Sequence, residues 1–466
     1  MKKSKALLFA VLLILLAVIG YFIKLSCDKA SKVPAESEPV DTAGTEPEQL
    51  SPSELAALEG ALADAPVLTG DSVGLRKFPY PYKAMLCIIS DCDSTTIQTF
   101  ARVHRYLNSF EDTPYGKGLG LDISDSFFVY NGSNLDTAEN LMSYCAGVDP
   151  DSTKDADLIK HYYDCGWIDS IHAFGDFSNS AGSMFSRTLA ERAWELLDQA
   201  GITPTVWIDH GTYTNVQNFG AYNPNNASSY QMGDNPVSPY YHTDLSLNGR
   251  IKYVWYSRHS DAFGQDYPLS IRQLRDGKSV WSFQRYTSEM LGSEIDWNWR
   301  PNRIHDQITP ERLDVLEEQG QYALIANHLT VFQEDEQFGP EDLQALELLA
   351  SRYYDTQTIL VARTSRVLDY ALAQRYISFK LVELDGATAI QLLNINDPVG
   401  GEHAPTLDEL RGLTFYVADP VRTAVYLGTE RLNAELTRNP ADESGRNSVS
   451  IAWFAPDTKD YSLDAR

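Results

Sequence analysis

The sequence predicts an α/β protein with a largely parallel sheet or barrel at its centre, a membrane anchor before it and a small all-β unit after it. Three features lead there. From residue 78 to about Tyr376, short apolar segments alternate with amphipathic ones, and strand–helix alternation implies parallel strands joined by crossovers. Beyond Tyr376, apolar and polar residues alternate between turn signals, the pattern of a small β-sandwich. Ahead of residue 78 lie a long apolar run and a stretch poor in aromatics.

The run comes first. After Met1, Lys2, Lys3 and Lys5 stands "ALLFAVLLILLAVIGYFI", residues 6–23, followed by Lys24. About 18 apolar residues suffice to span a bilayer, and basic residues before them hold the N-terminus in the cytoplasm. Residues 1–25 are therefore expected to be a single-pass transmembrane anchor that leaves the rest of the chain outside the cytoplasm; a cleaved signal peptide is the rival reading. Residues 26–75, rich in Glu, Pro, Ser and Ala, read as an exposed acidic spacer with one short helix near 53–63.

The α/β region spans 76–374. "AMLCIIS", "GLGLDISDSFFVY", "WIDSIHAFG", "TPTVWIDHG", "IKYVWYS", "SVWSFQRY", "YALIANHL" and "TILVART" read as strands. "TIQTFARVHRYLNSF", "MFSRTLAERAWELLDQAG", "PERLDVLEEQG", "EDLQALELLASRYYD" and "SRVLDYALAQRY" read as helices. Residues 375–466 form the all-β, sandwich-like C-terminal unit.

Composition limits the partners. The 466 residues hold 38 Lys and Arg against 64 Asp and Glu, a formal charge of −26. Such a chain does not neutralise a nucleic-acid backbone, nor does it favour an anionic membrane surface. The five cysteines show no metal-ribbon spacing; outside the cytoplasm Cys145 and Cys165 are able to pair.

The chemistry is concentrated at strand ends. "AMLCIISDCDSTT", residues 84–96, closes an apolar strand with Asp91 and Asp93. Two adjacent carboxylates at a buried strand end repel each other and need compensation. Asp93 or Ser94 is a candidate cap for the following helix; a metal ion is the other candidate. In "SIHAFGDFSN", His172 and Asp176 are four residues apart at another strand end. With Asp93 they make three ligands and leave room for water and substrate. "ALIANHLTVF" puts His328 at a third strand end, completing the parts for metal-assisted hydrolysis.

Taken in order, Asp-x-Asp after the first strand, His-x-x-x-Asp after a middle strand and His-Leu after a late one resemble the polysaccharide deacetylases with a NodB homology domain, over residues 78–370. The resemblance implies a distorted (β/α)7-type barrel and hydrolytic removal of acetyl groups from a cell-envelope or extracellular polysaccharide. It makes Asp91 the base, Asp93, His172 and Asp176 the ligands of a divalent metal (zinc first, then cobalt, nickel or manganese), and His328 the general acid. The family's arginine-bearing "R-x-P" segment is missing after the second motif. "WIDHGTYTN" stands there, with Asp209 and with His210 as a substitute site residue; "WRPNR", with Arg300 and Arg303, comes much later. A glycoside hydrolase and a non-catalytic sugar-binding protein on the same barrel are the competing readings.

His104, His161, His259, His305 and His403 read as surface or core residues, and His242 as a residue away from the cleft. The aromatic-rich segment from Tyr222 to Trp299 offers either core or sugar-stacking platforms, and the polar stretch 215–244 reads as a large loop over the barrel mouth.

Overall fold

The computed structural model describes residues 50–466, apart from 71–73, 134, 179–183, 212–213, 221–230, 256–259 and 464–466. The expected anchor, most of the expected spacer and His259 lie outside the described residues. Among the described residues no helix is long and apolar enough to cross a membrane.

A mixed α/β architecture is built on one curled sheet. Its strands are β1 (Ala84–Ser90), β2 (Ser124–Phe127), β3 (Ile168–His172), β4 (Val206–Ile208), β5 (Tyr253–Trp255), β6 (Leu269–Gln273), β7 (Ser279–Phe283), β8 (Tyr322–Asn327) and β9 (Ile359–Val361). The order is β8-β1-β2-β3-β4-β5-β7-β6, and β9 pairs with the start of β1. These neighbours run parallel except β6, which returns antiparallel to β7, and the two-residue segment Gly264–Gln265 adds antiparallel to the outer edge of β8. Just past β7, Tyr286 makes a parallel bridge to Ile325 of β8, donating its N–H to Leu324 and accepting from Ala326. The two ends of the parallel run thus approach each other, and the carboxyl ends of the strands gather on one rim.

Local sequence explains these elements. Every residue of β1 is buried, because a parallel strand is covered on both faces. Met85, Cys87 and Ile89 pack in one core, while Ala84, Leu86 and Ile88 pack in another beneath the outer helices. The helices are α1 (Pro52–Asp64), α2 (Ile97–Asn108), α3 (Ala156–Cys165), α4 (Arg187–Ala200), α5 (Pro310–Gln319), α6 (Pro340–Leu348) and α7 (Thr364–Tyr376). The short α3, "ADLIKHYYDC", was not legible as a helix. Thr96, not Asp93 or Ser94, caps α2, in a reciprocal box with Thr99. Ser94 instead takes a left-handed φ of 52°, and the Asp93 side chain is left to do something else. Cys145 and Cys165 are both unpaired.

The C-terminal strands are β10 (Ile377–Leu384), β11 (Ala387–Asp397), β12 (Thr414–Tyr416), β13 (Thr423–Leu427), β14 (Leu436–Asn439) and β15 (Ser448–Ile451). They form a larger sheet through β10, β11 and β13, and a smaller one in the order β12-β15-β14. Their core is not separate. Phe379, Ile390, Phe415, Val425 and Val449 belong to one cluster with Met85, Leu324, Tyr253, Val367 and Tyr370, and residues Leu50–Arg466 form a single compact unit.

Folded structure also reaches further toward the N-terminus than the expected spacer of 26–75 allows. Ser51 and Glu54 form a capping box for α1, and Leu58 and Leu62 bury themselves against Ala387, Ala389, Ala424 and Tyr426. Leu68–Thr69 then adds antiparallel to β10. The short helix expected near 53–63 is present as α1; the acidic composition gave no sign that its leucines have a partner surface more than 300 positions later.

Because Leu58 sits in a closed contact, Leu58→Ala is expected to cost about 2–5 kcal/mol in urea denaturation. The shared core predicts one unfolding transition for 50–466; separate transitions for the α/β and C-terminal parts would contradict it.

Candidate metal centre

Three strand ends on the rim converge on one point. Asp93 lies in the turn after β1, His172 is the last residue of β3, and His210 stands two residues past β4. His172 Nε2 is 2.9 Å from Asp93 Oδ2, His210 Nδ1 is 3.1 Å from Asp93 Oδ1, and the two ring nitrogens are 3.2 Å apart.

Hydrogen bonding on the far side of each ring decides what these nitrogens present. His172 Nδ1 lies 3.1 Å from the Ile208 carbonyl, which only accepts, so the ring proton is there and the Nε2 lone pair faces inward. His210 Nε2 lies 3.3 Å from Asp176 Oδ1, which directs the other lone pair inward through Nδ1. Two imidazole lone pairs and a carboxylate oxygen meeting this closely repel one another unless a cation stands between them. Such outer partners are what fix the tautomer of metal-binding histidines. Asp93, His172 and His210 could therefore hold a metal ion. Two nitrogens and one oxygen suit zinc and the neighbouring first-row divalent ions, and leave identity open.

The expected ligand Asp176 is thus corrected: it stands behind His210 as that ring's partner. Ala173 adopts a left-handed φ of 48° and swings the chain aside after His172. Gly175–Asp176 then pairs with Tyr130–Asn131 in a separate short ladder. The third group of the cluster, His210, comes instead from the next strand over. Asn218 fixes its backbone, accepting from His210 N at 3.1 Å and donating to His210 O at 2.5 Å. Phe128 stacks on His172 and meets His210 edge-on, filling the space beneath both rings.

Charges respond to this crowding. Burial opposes the Asp93 anion, but His210, His172 and His328 outweigh it and hold the carboxyl well below its ordinary range. Burial likewise opposes an imidazolium at His210, and Asp93 and Asp176 overcome it, raising that ring to about 10.

Asp91 has a different partner. The guanidinium of Arg285, two residues past β7, meets it through both nitrogens, at 2.6 Å to Oδ1 and 2.9 Å to Oδ2. Both side chains are buried, and the Arg285 plane lies 4.1 Å over the Trp255 ring. Sequence inspection missed this residue: "SFQRY" carries no motif, and the pairing spans nearly 200 positions. Arg300 and Arg303 are engaged elsewhere, with Glu336 and with Asp296 and Asp306. His328 Nε2 is 3.8 Å from Asp91 Oδ2. Its ring stacks on Trp299, which in turn stacks on Trp297. Asp91, Asp93 and His328 also lie close enough to share an ion, but Asp91 is already neutralised by Arg285, so the first grouping is the better cation site.

His242 is a core residue. Its Nδ1 meets Ser246 and its Nε2 donates to Gln217 O, and burial pushes the ring down to about 4. His104 is buried in the core, while His161, His305 and His403 are bonded to Tyr461, Asp342 and Glu409.

Calorimetry with zinc is expected to show one site, abolished by Asp93→Ala or His210→Ala and weakened about 10–100-fold by Asp176→Asn. His210 is protonated below about 10 and must lose that proton to bind, so affinity should rise about tenfold per pH unit near neutrality. Arg285→Met leaves Asp91 buried and unpaired, an expected loss of about 3–5 kcal/mol in stability; Arg300→Met should cost little.

No protein-family model matches the chain and no curated protein matches it in sequence, so the functional reading rests on the geometry of this centre.

Proposed function

We propose that the protein is a metal-dependent hydrolase that removes acetyl groups from an N-acetylated, or O-acetylated, polysaccharide of the cell envelope or extracellular space. The curled parallel sheet is read as a (β/α)7-type barrel, and the proposed location is outside the cytoplasm, behind the N-terminal apolar run. The single observation that carries the reading is the pairing of a His-His-Asp cation site with a separate acid–base pair, Asp91 and His328, on the same rim.

A divalent ion at Asp93, His172 and His210 supplies a Lewis acid that acidifies water and draws electrons from a carbonyl oxygen. The protein supplies the proton handling. Asp91 is held in place by Arg285, yet each carboxylate oxygen retains a second lone pair, so it can take the proton from attacking water. His328 stands across from it, its plane fixed by Trp299 and its backbone N–H bonded to Trp299 O at 2.8 Å. It donates a proton to the departing sugar nitrogen or oxygen, which an amine requires because it leaves poorly as an anion. Water adds to the carbonyl carbon, the C–N bond breaks, and acetate and a free amine result.

A glycoside hydrolase fits less well. It needs two carboxylates free to flank a glycosidic bond, whereas Asp91 is bound by Arg285 and Asp93 lies between two histidines.

Purified protein loaded with zinc, cobalt, nickel or manganese should release acetate from acetylated glucosamine or galactosamine polymers, and a chelator should stop it. Asp91→Asn and His328→Ala should lower kcat by about 100-fold or more while zinc still binds. Turnover that survives both variants, or activity indifferent to chelation, would refute the assignment.

A further inference from the structure

Asp125 has no part in the chemistry above, yet both reactive arms hang on it. It lies on β2 with about 1 % of its surface exposed. Its Oδ2 accepts from Ser90 Oγ at 2.8 Å and from Thr330 Oγ1 at 2.9 Å, and its Oδ1 accepts from Ser126 N at 2.8 Å. Ser90 immediately precedes Asp91, and Thr330 follows His328 by two residues.

The network then closes around both. Ser90 Oγ accepts from Leu329 N at 3.1 Å. Ser126 Oγ accepts from Cys92 N at 3.1 Å. The hydroxyls of Thr330 and Thr95 meet at 2.7 Å. Ser90 and Thr330 are thereby tied to one carboxylate on a third strand directly and Leu329 through Ser90, while Cys92 is held by Ser126, the next residue on that strand.

His104 on α2 backs it. Ile123 N donates to Asn108 Oδ1 at 3.0 Å, and Asn108 Nδ2 donates to Ile123 O at 2.7 Å, which fixes the amide orientation. Asn108 Nδ2 therefore donates to His104 Nδ1, 3.2 Å away. The ring proton is left on Nε2, which faces Asp125 Oδ2 at 3.5 Å. Phe100 and Trp167 pack against the ring. The hydrogen bonds to the Asp125 carboxylate come from two hydroxyls and a backbone amide, and the His104 Nε2–H faces it at 3.5 Å without closing a fourth. Only a group that accepts at both ends satisfies all three; an amide of the same shape turns its own donors against them.

We propose that Asp125 is a positioning residue that sets the separation of Asp91 and His328, with His104 holding it in place. This rests on the reading of those two residues as base and acid.

The test uses Asp125→Asn and the near-isosteric Thr330→Val, which loosens only the His328 arm. Asp125→Asn is expected to lower kcat for acetate release about 10–100-fold, with KM and zinc affinity unchanged within about twofold. Thr330→Val should give a smaller fall of the same kind. Crystal structures should show the Asp91–His328 separation altered in both, with the Asp93, His172 and His210 cluster superposable on the wild type. An unaltered separation in both variants, or zinc affinity falling in step with kcat, would overturn the proposal. A wild type that binds zinc and releases no acetate defeats the deacetylase reading alone, because the crystallographic separation still reports on Asp125. Should Asp125→Asn fail to fold, Thr330→Val carries the same measurement.

Discussion

Three lone pairs directed into one small space are the constraint on which the rest of this rim depends. Asp93, His172 and His210 cannot sit within 2.9 to 3.2 Å of one another without a positive charge among them. The surrounding structure is arranged to enforce that closeness. Ile208 O and Asp176 turn the two rings, Asn218 fixes the backbone of one, and Phe128 fills the space beneath both. Left-handed turns at Ser94 and Ala173 are the local strain expected where geometry is set by a site and not by backbone preference.

Around this centre the protein uses its charged groups in two distinct ways. Asp93 is left partly exposed between histidines, where a cation can reach it. Asp91, two residues earlier, is buried and neutralised by Arg285 over the face of Trp255. Two carboxylates that would repel each other therefore coexist because each has its own counter-charge. Burying an ion pair contributes little net stability; what it provides here is a fixed direction for Asp91 relative to His328 and the cation site.

The same economy of position extends downward. Asp125, in the layer below, joins strand ends that come from positions 90, 126 and 330, and the shared core joins the α/β sheet to the C-terminal strands and to α1. The rim is thus held from below by polar contacts and from behind by apolar ones, and neither the curled sheet nor the β-unit buries its surface alone.

Local information alone determined much. The fully apolar "AMLCIIS" is legible as a buried parallel strand because both its faces are covered, and most helices are legible from their periodicity and capping signals. Asp91, Asp93, His172 and His328 stand out because polar residues end apolar strands. What needed the tertiary structure was partnership. His210 stands beside Asp93 and His172 where Asp176 was expected, because a left-handed turn at Ala173, invisible in composition, carries the chain aside and leaves Asp176 behind the His210 ring. Arg285 meets Asp91 from nearly 200 residues away, and α1, legible as a short helix, has a partner surface that only the folded sheet supplies. Spacing along a chain reports which groups share a strand end; only strand order and register decide which strand ends meet.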